Sequence, residues 1–132
     1  MRFDLAVVPD ELTAFLTDRH LVSLTLVRPD GTPHVTPVGV TWDLDARIAR
    51  VITWSGSVKA KLLERHGTMA AAVCQIDGPR WVTLSGPATV TADPVRCADA
   101  VARYAERYSP PKDRGPERRT IEIAVDRVVG RV

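Results

Sequence analysis

Lysine is scarce in this chain: of 18 basic residues only Lys59, Lys61 and Lys112 are lysines. Cysteine is scarcer. Cys74 lies in an apolar run and Cys97 in a helical pattern, a spacing that suggests neither a metal site nor a redox pair and leaves two reduced core thiols as the expectation. The N-terminus carries no apolar segment long enough for export, and no run approaches a membrane span, so a cytoplasmic chain that avoids the bilayer is expected. Net charge is only +2, and the arginines are scattered among acidic residues. Without a dense basic stripe, nucleic-acid binding is disfavoured. The three histidines include no pair at metal-ligand spacing: His34 lies on a strand, whereas His20 and His66 end helices. There is no G-x-G-x-x-G, no Walker loop and no Ser-His-Asp arrangement, so hydrolase and nucleotidase chemistry lacks residue support.

What is present reads as one domain. A length of 132 residues with 45% hydrophobic and 26% charged content suits a single globular core. Leu12, Phe15 and Leu16, behind Pro9-Asp10-Glu11, have helical spacing that runs out near Arg19-His20. Leu21 to Val27 alternates as a strand, and Arg28-Pro29-Asp30-Gly31 turns it into a second strand, Thr32 to Trp42. Pro33 and Pro37 cannot donate to a ladder, so that second strand is an edge or irregular. Ile48 to Thr53, Met69 to Ile76, Arg80 to Val90 and Thr120 to Val129 complete the strands, with a bend expected at Gly86-Pro87. Helices are expected over Val58 to His66, closed by Gly67, and over Val95 to Tyr108, opened by Asp93-Pro94, with Val101, Tyr104, Ala105 and Tyr108 on one face. Ser109 to Glu117 is a loop. The predicted fold is therefore mainly β (α+β): about six strands in a small antiparallel barrel with peripheral helices.

The segment from Thr53 to Lys61 carries the most chemistry. Ser55, Gly56 and Ser57 form a hydroxyl-rich turn at a helix N-terminus, and Lys59 and Lys61 stand beside it. Free N–H groups and the positive end of the helix dipole favour a phosphate there, with Ser55 and Ser57 donating and Lys59 as a point charge. The plainer reading is that Ser57 caps the helix and the lysines are solvated. Lys112, next to Pro110-Pro111, reads as an ordinary solvated loop lysine.

Taken in order, these residues resemble a known family. Gly31-Thr32-Pro33-His34-Val35-Thr36-Pro37-Val38, Ile48 to Thr53, Gly56-Ser57 with Lys59-Ala60, Cys74-Gln75 with Asp77-Gly78 and Arg80-Trp81, and Arg103-Tyr104-Ala105 with Arg107-Tyr108 are similar to the split-barrel flavin and deazaflavin oxidoreductases, relatives of pyridoxamine phosphate oxidase. The resemblance spans nearly the whole chain and is nearest to the branch that uses coenzyme F420, within it to the biliverdin reductase type.

The resemblance implies an FMN-binding split-barrel fold and a homodimer with two cofactor sites at the subunit interface. It also implies hydride transfer from reduced deazaflavin to a planar conjugated small-molecule acceptor, biliverdin in first place. It puts backbone of Pro37, Val38 and Gly39 against the ring, the phosphate on Ser57 and Lys59, and Thr53, Ser55 and Gly56 near the ribityl chain. Many relatives carry Arg at the position of Ser57, so the phosphate grip has one guanidinium fewer. Gln75, Arg80 and Trp81 are expected to reach the neighbouring subunit's cofactor, although Trp81 also suits plain packing. Trp54, beside the anion turn, is expected to cover the same pocket, and Arg80, Arg107 or Lys61 would pair with substrate carboxylates if they face the cleft. No side chain stands out as a proton donor. The alternatives are an FMN-dependent oxidase or reductase, or a non-catalytic flavin- or haem-binding split-barrel protein.

Overall fold

The computed structural model describes residues 1–132. Its elements in chain order are β1 (Arg2–Phe3), α1 (Asp10–Thr17), β2 (Val22–Val27), β3 (Pro33–Val38), β4 (Thr41–Asp43), β5 (Ile48–Trp54), α2 (Val58–His66), β6 (Met69–Asp77), β7 (Arg80–Thr91), α3 (Pro94–Arg107), β8 (Arg118–Ala124) and β9 (Arg127–Arg131). All strand pairs are antiparallel, and the main path runs β3-β2-β6-β7-β8-β5-β4. β9 branches from β7 and carries β1. The mainly β fold with peripheral helices is as the residue pattern implies.

The path is not closed into a ring: β3 and β4 are its two ends. The bend expected at Gly86-Pro87 is where the branch arises. Before it, Trp81 to Ser85 pair with β9; after it, Ala88 to Thr91 pair with β8. A side chain at Gly86 would be blocked, since a Cβ there would lie 2.0 Å from the Ala124 carbonyl oxygen. The crossing of three strands thus needs a residue without one.

Two strands expected as continuous are each broken. Thr32 to Trp42 divides into β3 and β4 at Gly39-Val40, because the Val40 N–H donates to the Tyr108 hydroxyl and its carbonyl accepts from Arg107 instead of joining a ladder. Thr120 to Val129 divides at Val125-Asp126, whose N–H groups donate to the carbonyls of Arg47 and Ser85. β1 is a further short strand with too few residues to show alternation.

The core lies on one face of the sheet. Leu12, Phe15 and Leu16 of α1 pack on inward residues of the sheet, among them Leu24, Leu26, Val51, Val73, Leu84 and Ile121. Burying each such side chain is worth about 1.5–3 kcal/mol. Cys97 is buried, Cys74 half-buried, and both are free thiols.

Candidate functional site

The opening in the sheet creates a cavity. β4 pairs with β5 only through Ile48 to Arg50, so Val51 to Trp54 have no ladder partner on that side. β3 pairs only with β2. Between these free edges lies a cavity of about 220 Å³ lined by Pro37, Val38 and Gly39 on one side and Ile52, Thr53, Trp54 and Lys59 on the other. Tyr104 of α3 and Pro111, Lys112, Arg114 and Arg118 of the following segment complete it. Pro37 lacks an N–H, so its edge leaves no orphan donor at that residue where a ligand's flat face could approach.

The hydroxyl-rich turn is well ordered around Ser57. The Ser57 Oγ accepts from the Ala60 N–H (3.1 Å) and from the Thr53 hydroxyl (2.7 Å). It is therefore a true N-cap, worth about 1 kcal/mol, and both Thr53 and Ser57 are buried. The Ser55 N–H is already bonded to the Glu117 carbonyl. Gly56 is tightly covered: a Cβ there would sit 2.7 Å from the Trp54 indole nitrogen. The Trp54 ring in turn carries the Arg114 guanidinium 4.2 Å above its centroid, a cation–π stack.

Lys59 is half-buried and has no carboxylate partner. Burial holds its ammonium below the usual lysine range. Lys112, Arg114 and Arg118 also lack ion pairs, and no Asp or Glu lines this cavity. Arg118 donates to the carbonyls of Thr53 (3.1 Å) and Lys112 (2.5 Å). Four cations with no carboxylate in the lining suit this cavity to an anion, with Arg114 able to make forked bonds, Arg118 adding charge from its carbonyl contacts and the lysines acting as point charges. A phosphate bound there should therefore be held more weakly as pH rises through the Lys59 pKa, because the neutral amine loses its charge while the guanidiniums keep theirs. That loss is expected at lower pH than an ordinary lysine would give, and Lys59→Arg should remove it. Calorimetric titration with inorganic phosphate between neutral and alkaline pH measures the effect.

The backbone beside the cavity is held by α3. Tyr108 donates to the His20 carbonyl (2.6 Å) while accepting from the Val40 N–H (3.0 Å). Burial raises the Tyr108 pKa above the ordinary phenol value, so the hydroxyl keeps its proton for that bond. Gly39 fits under the two tyrosines: a Cβ there would fall 2.7 Å from the Tyr104 ring and 2.9 Å from Tyr108. The α3 face that periodicity marks as apolar is thus only partly core. Cys97 and Ala100 are buried, whereas Tyr104 lines this cavity and Val101 and Ala105 line a second one behind it.

Of the residues singled out from sequence, Pro37, Val38, Gly39, Thr53 and Lys59 come together here, with Ser55, Gly56 and Ser57 forming the adjoining turn. Others do not join them within one chain. Gln75 is buried, donating to the Phe15 carbonyl and accepting from Arg107, each at 2.7 Å. Arg107 is committed likewise, to the Asp18 and Val40 carbonyls and Gln75, which leaves it no free fork for a substrate carboxylate. Arg80 and Trp81 point to opposite faces of β7, as neighbours on a strand must. Arg80 pairs with Asp77 at 2.6 Å and stacks on Phe15, whereas Trp81 stands opposite Ile76 on the outer face. Lys61 is exposed and off the cavity. His34 is half-buried on β3, its pKa lowered first by burial and then by the charges of Arg28 and Lys59.

Sequence reasoning missed Tyr104, Arg114 and Arg118, and it misjudged Lys112. Lys112 is solvent-exposed as expected, yet it lines the cavity. The available signal was the density of cations after Pro110-Pro111, which a loop reading treats as solvation.

Comparison with known proteins gives a consistent picture. The family model for pyridoxamine 5'-phosphate oxidase matches residues 8–131. A Mycobacterium tuberculosis (strain CDC 1551 / Oshkosh) protein named F420H(2)-dependent biliverdin reductase is 46% identical over 121 residues, covering 92% of this chain and 86% of that protein. Among solved structures, a conserved hypothetical protein from Mycobacterium tuberculosis superposes with a TM-score of 0.75 at 22% identity, covering 94% of this chain and 84% of that one. A structure titled F420 reductase gives 0.71 at 24% identity, with coverage of 92% and 98%. These two structural likenesses speak for the fold.

Proposed function

We propose that this chain, which belongs to the pyridoxamine 5'-phosphate oxidase family, is a coenzyme F420-dependent reductase whose acceptor is a planar conjugated molecule, biliverdin first among them. The observation that carries the reading is the cavity between the free edges of β3 and β5, with four unpaired cations and no carboxylate. The donor set fits the group: a phosphate-bearing cofactor needs compensating charge, which Lys59, Lys112, Arg114 and Arg118 supply. Pro37, Val38 and Gly39 would hold the flat end and the Thr53 to Ser57 turn the phosphate end. When bound and reduced, the deazaflavin supplies the hydride.

The chain's own contribution is position and charge. Arg107 and Tyr108 fix Val40, and through it the strand break at Gly39, so the wall against the ring cannot drift. Such fixing matters because small displacements of reacting partners cost large factors in rate. Trp54, stacked under Arg114, shields the anion turn. Titration with coenzyme F420 and with FMN, following fluorescence, tests the cofactor: tighter binding of F420 supports the reading, and tighter binding of FMN moves the chain to the FMN-dependent alternative.

The outer face of the sheet supports a homodimer as part of this reading. There, Val35 and Pro37 of β3, Thr25 and Val27 of β2, Ala72, Cys74 and Ile76 of β6, and Trp81 and Thr83 of β7 share one side by register. Val35 is 57% and Ile76 66% exposed, and none of these nine side chains is charged. An uncharged face of four strands is suited to burial against a copy of itself. Pro37 belongs to both this face and the cavity, which would set the cofactor at the seam. Light scattering should give twice the mass of one chain, and Val35→Asp should give a monomer with weakened cofactor binding. A monomeric wild type that binds cofactor fully would contradict a shared site.

A further inference from the structure

Behind the anion cavity, between α3 and residues 110–118, lies a larger cavity of about 700 Å³. Its floor is the small apolar side of α3, Ala98, Val101, Ala102 and Ala105, and its roof includes Pro110, Pro111 and Pro116. The volume is that of a small-molecule site. Its polar lining has a cationic excess: Lys112, Arg114 and Arg118 make no ion pair, against one acid, Asp113, which accepts from the Gly115 N–H and whose charge acts on Arg118. Those three cations also line the smaller cavity.

We propose that this larger cavity is a second ligand site, specific for an apolar monocarboxylate, with the hydrocarbon body on the α3 face and the carboxylate at Lys112 and Arg114, while Arg118, held by the Thr53 and Lys112 carbonyls, adds charge but no free fork. Charge complementarity selects the occupant: an apolar slot alone would accept any hydrophobe, whereas a net positive lining favours an acid over the matching alcohol. Because the same cations serve both cavities, an acid here and a phosphate next door draw on one field. Each must weaken the other, and by the same factor, since coupling between binding sites is reciprocal. Acid binding itself is independent of which cofactor the chain prefers.

Isothermal titration of the full chain with laurate and with dodecanol, below their micelle or solubility limits, tests this. Expected results are one laurate per chain, at least tenfold weaker binding of dodecanol, and a severalfold loss of laurate affinity when the cofactor cavity is saturated with F420 or FMN. Ala102→Trp, an exposed α3 position lining only the larger cavity, should abolish laurate binding and leave cofactor affinity and circular dichroism unchanged. Equal binding of laurate and dodecanol, no saturable laurate binding, or undiminished laurate binding to a folded Ala102→Trp variant would overturn the proposal. Failure of F420 to bind would instead touch the cofactor reading alone, since the laurate and Ala102→Trp arms need no cofactor.

Discussion

Lys59→Ala is expected to weaken cofactor binding by about 10- to 150-fold, whereas Lys61→Ala should leave it unchanged. A hydrogen bond to a charged group contributes roughly 1.5–3 kcal/mol, and each 1.4 kcal/mol is about a tenfold change in affinity. Lys59 is positioned to give the full value. It is half-buried, lines the cavity and has no carboxylate to return to when the ligand leaves. Lys61, two residues along α2, is exposed and off the cavity. Lys112 is unsuitable as the control, because it also lines the site. Binding titrations on the two variants decide the matter, and equal affinities would remove the anion-site reading.

Arg107→Ala should destabilise the fold by roughly 1.5–3 kcal/mol, the scale of losing hydrogen bonds made by a charged group at a half-buried position. Its guanidinium reaches the Asp18 carbonyl (3.0 and 2.6 Å), the Val40 carbonyl (2.6 Å) and the Gln75 side chain (2.7 Å), tying the end of α1, the β3–β4 break and β6 to α3. Burial pushes its pKa below the ordinary arginine value. That cost of holding the charge is outweighed only while all the acceptors are engaged. Removing the side chain leaves the part-buried Val40 carbonyl and Gln75 Oε1 without their partner, while the exposed Asp18 carbonyl turns to water. At a few degrees per kcal/mol for a chain of this size, the melting temperature should fall by roughly 5–10 °C. Arg107→Lys should not rescue it, since an ammonium cannot span acceptors that the planar fork reaches at once. Thermal unfolding followed by circular dichroism measures both, and a variant as stable as wild type would contradict the clamp.

The elements legible in the sequence were those whose local chemistry agrees with the fold. Leu12, Phe15 and Leu16 are buried at helical spacing, Ser57 and Asp93 do cap α2 and α3, and Gly86-Pro87 does mark a change in β7. What escaped was set by contacts distant in the chain. Nothing near Gly39 announces that Tyr108 and Arg107 will take the Val40 backbone out of its ladder, 68 and 67 residues away. Half of the site was legible for the same reason. The Thr53 to Lys59 turn is local, whereas Arg114 and Arg118 join it only because β8 pairs with β5, setting Arg118 opposite Trp54. Gln75 shows the converse. Its neighbours suggest a ligand contact, but the hydrogen bonds it makes are internal, to Phe15 and Arg107.

The most direct test is to mix the protein with reduced coenzyme F420 and biliverdin and follow the absorbance of both. The account predicts that the blue-green tetrapyrrole turns to yellow bilirubin while oxidised cofactor appears in equal amount, and that Lys59→Ala slows this at subsaturating F420. Tight binding of F420 with no bilirubin formed, or turnover with reduced FMN and none with F420, would contradict it.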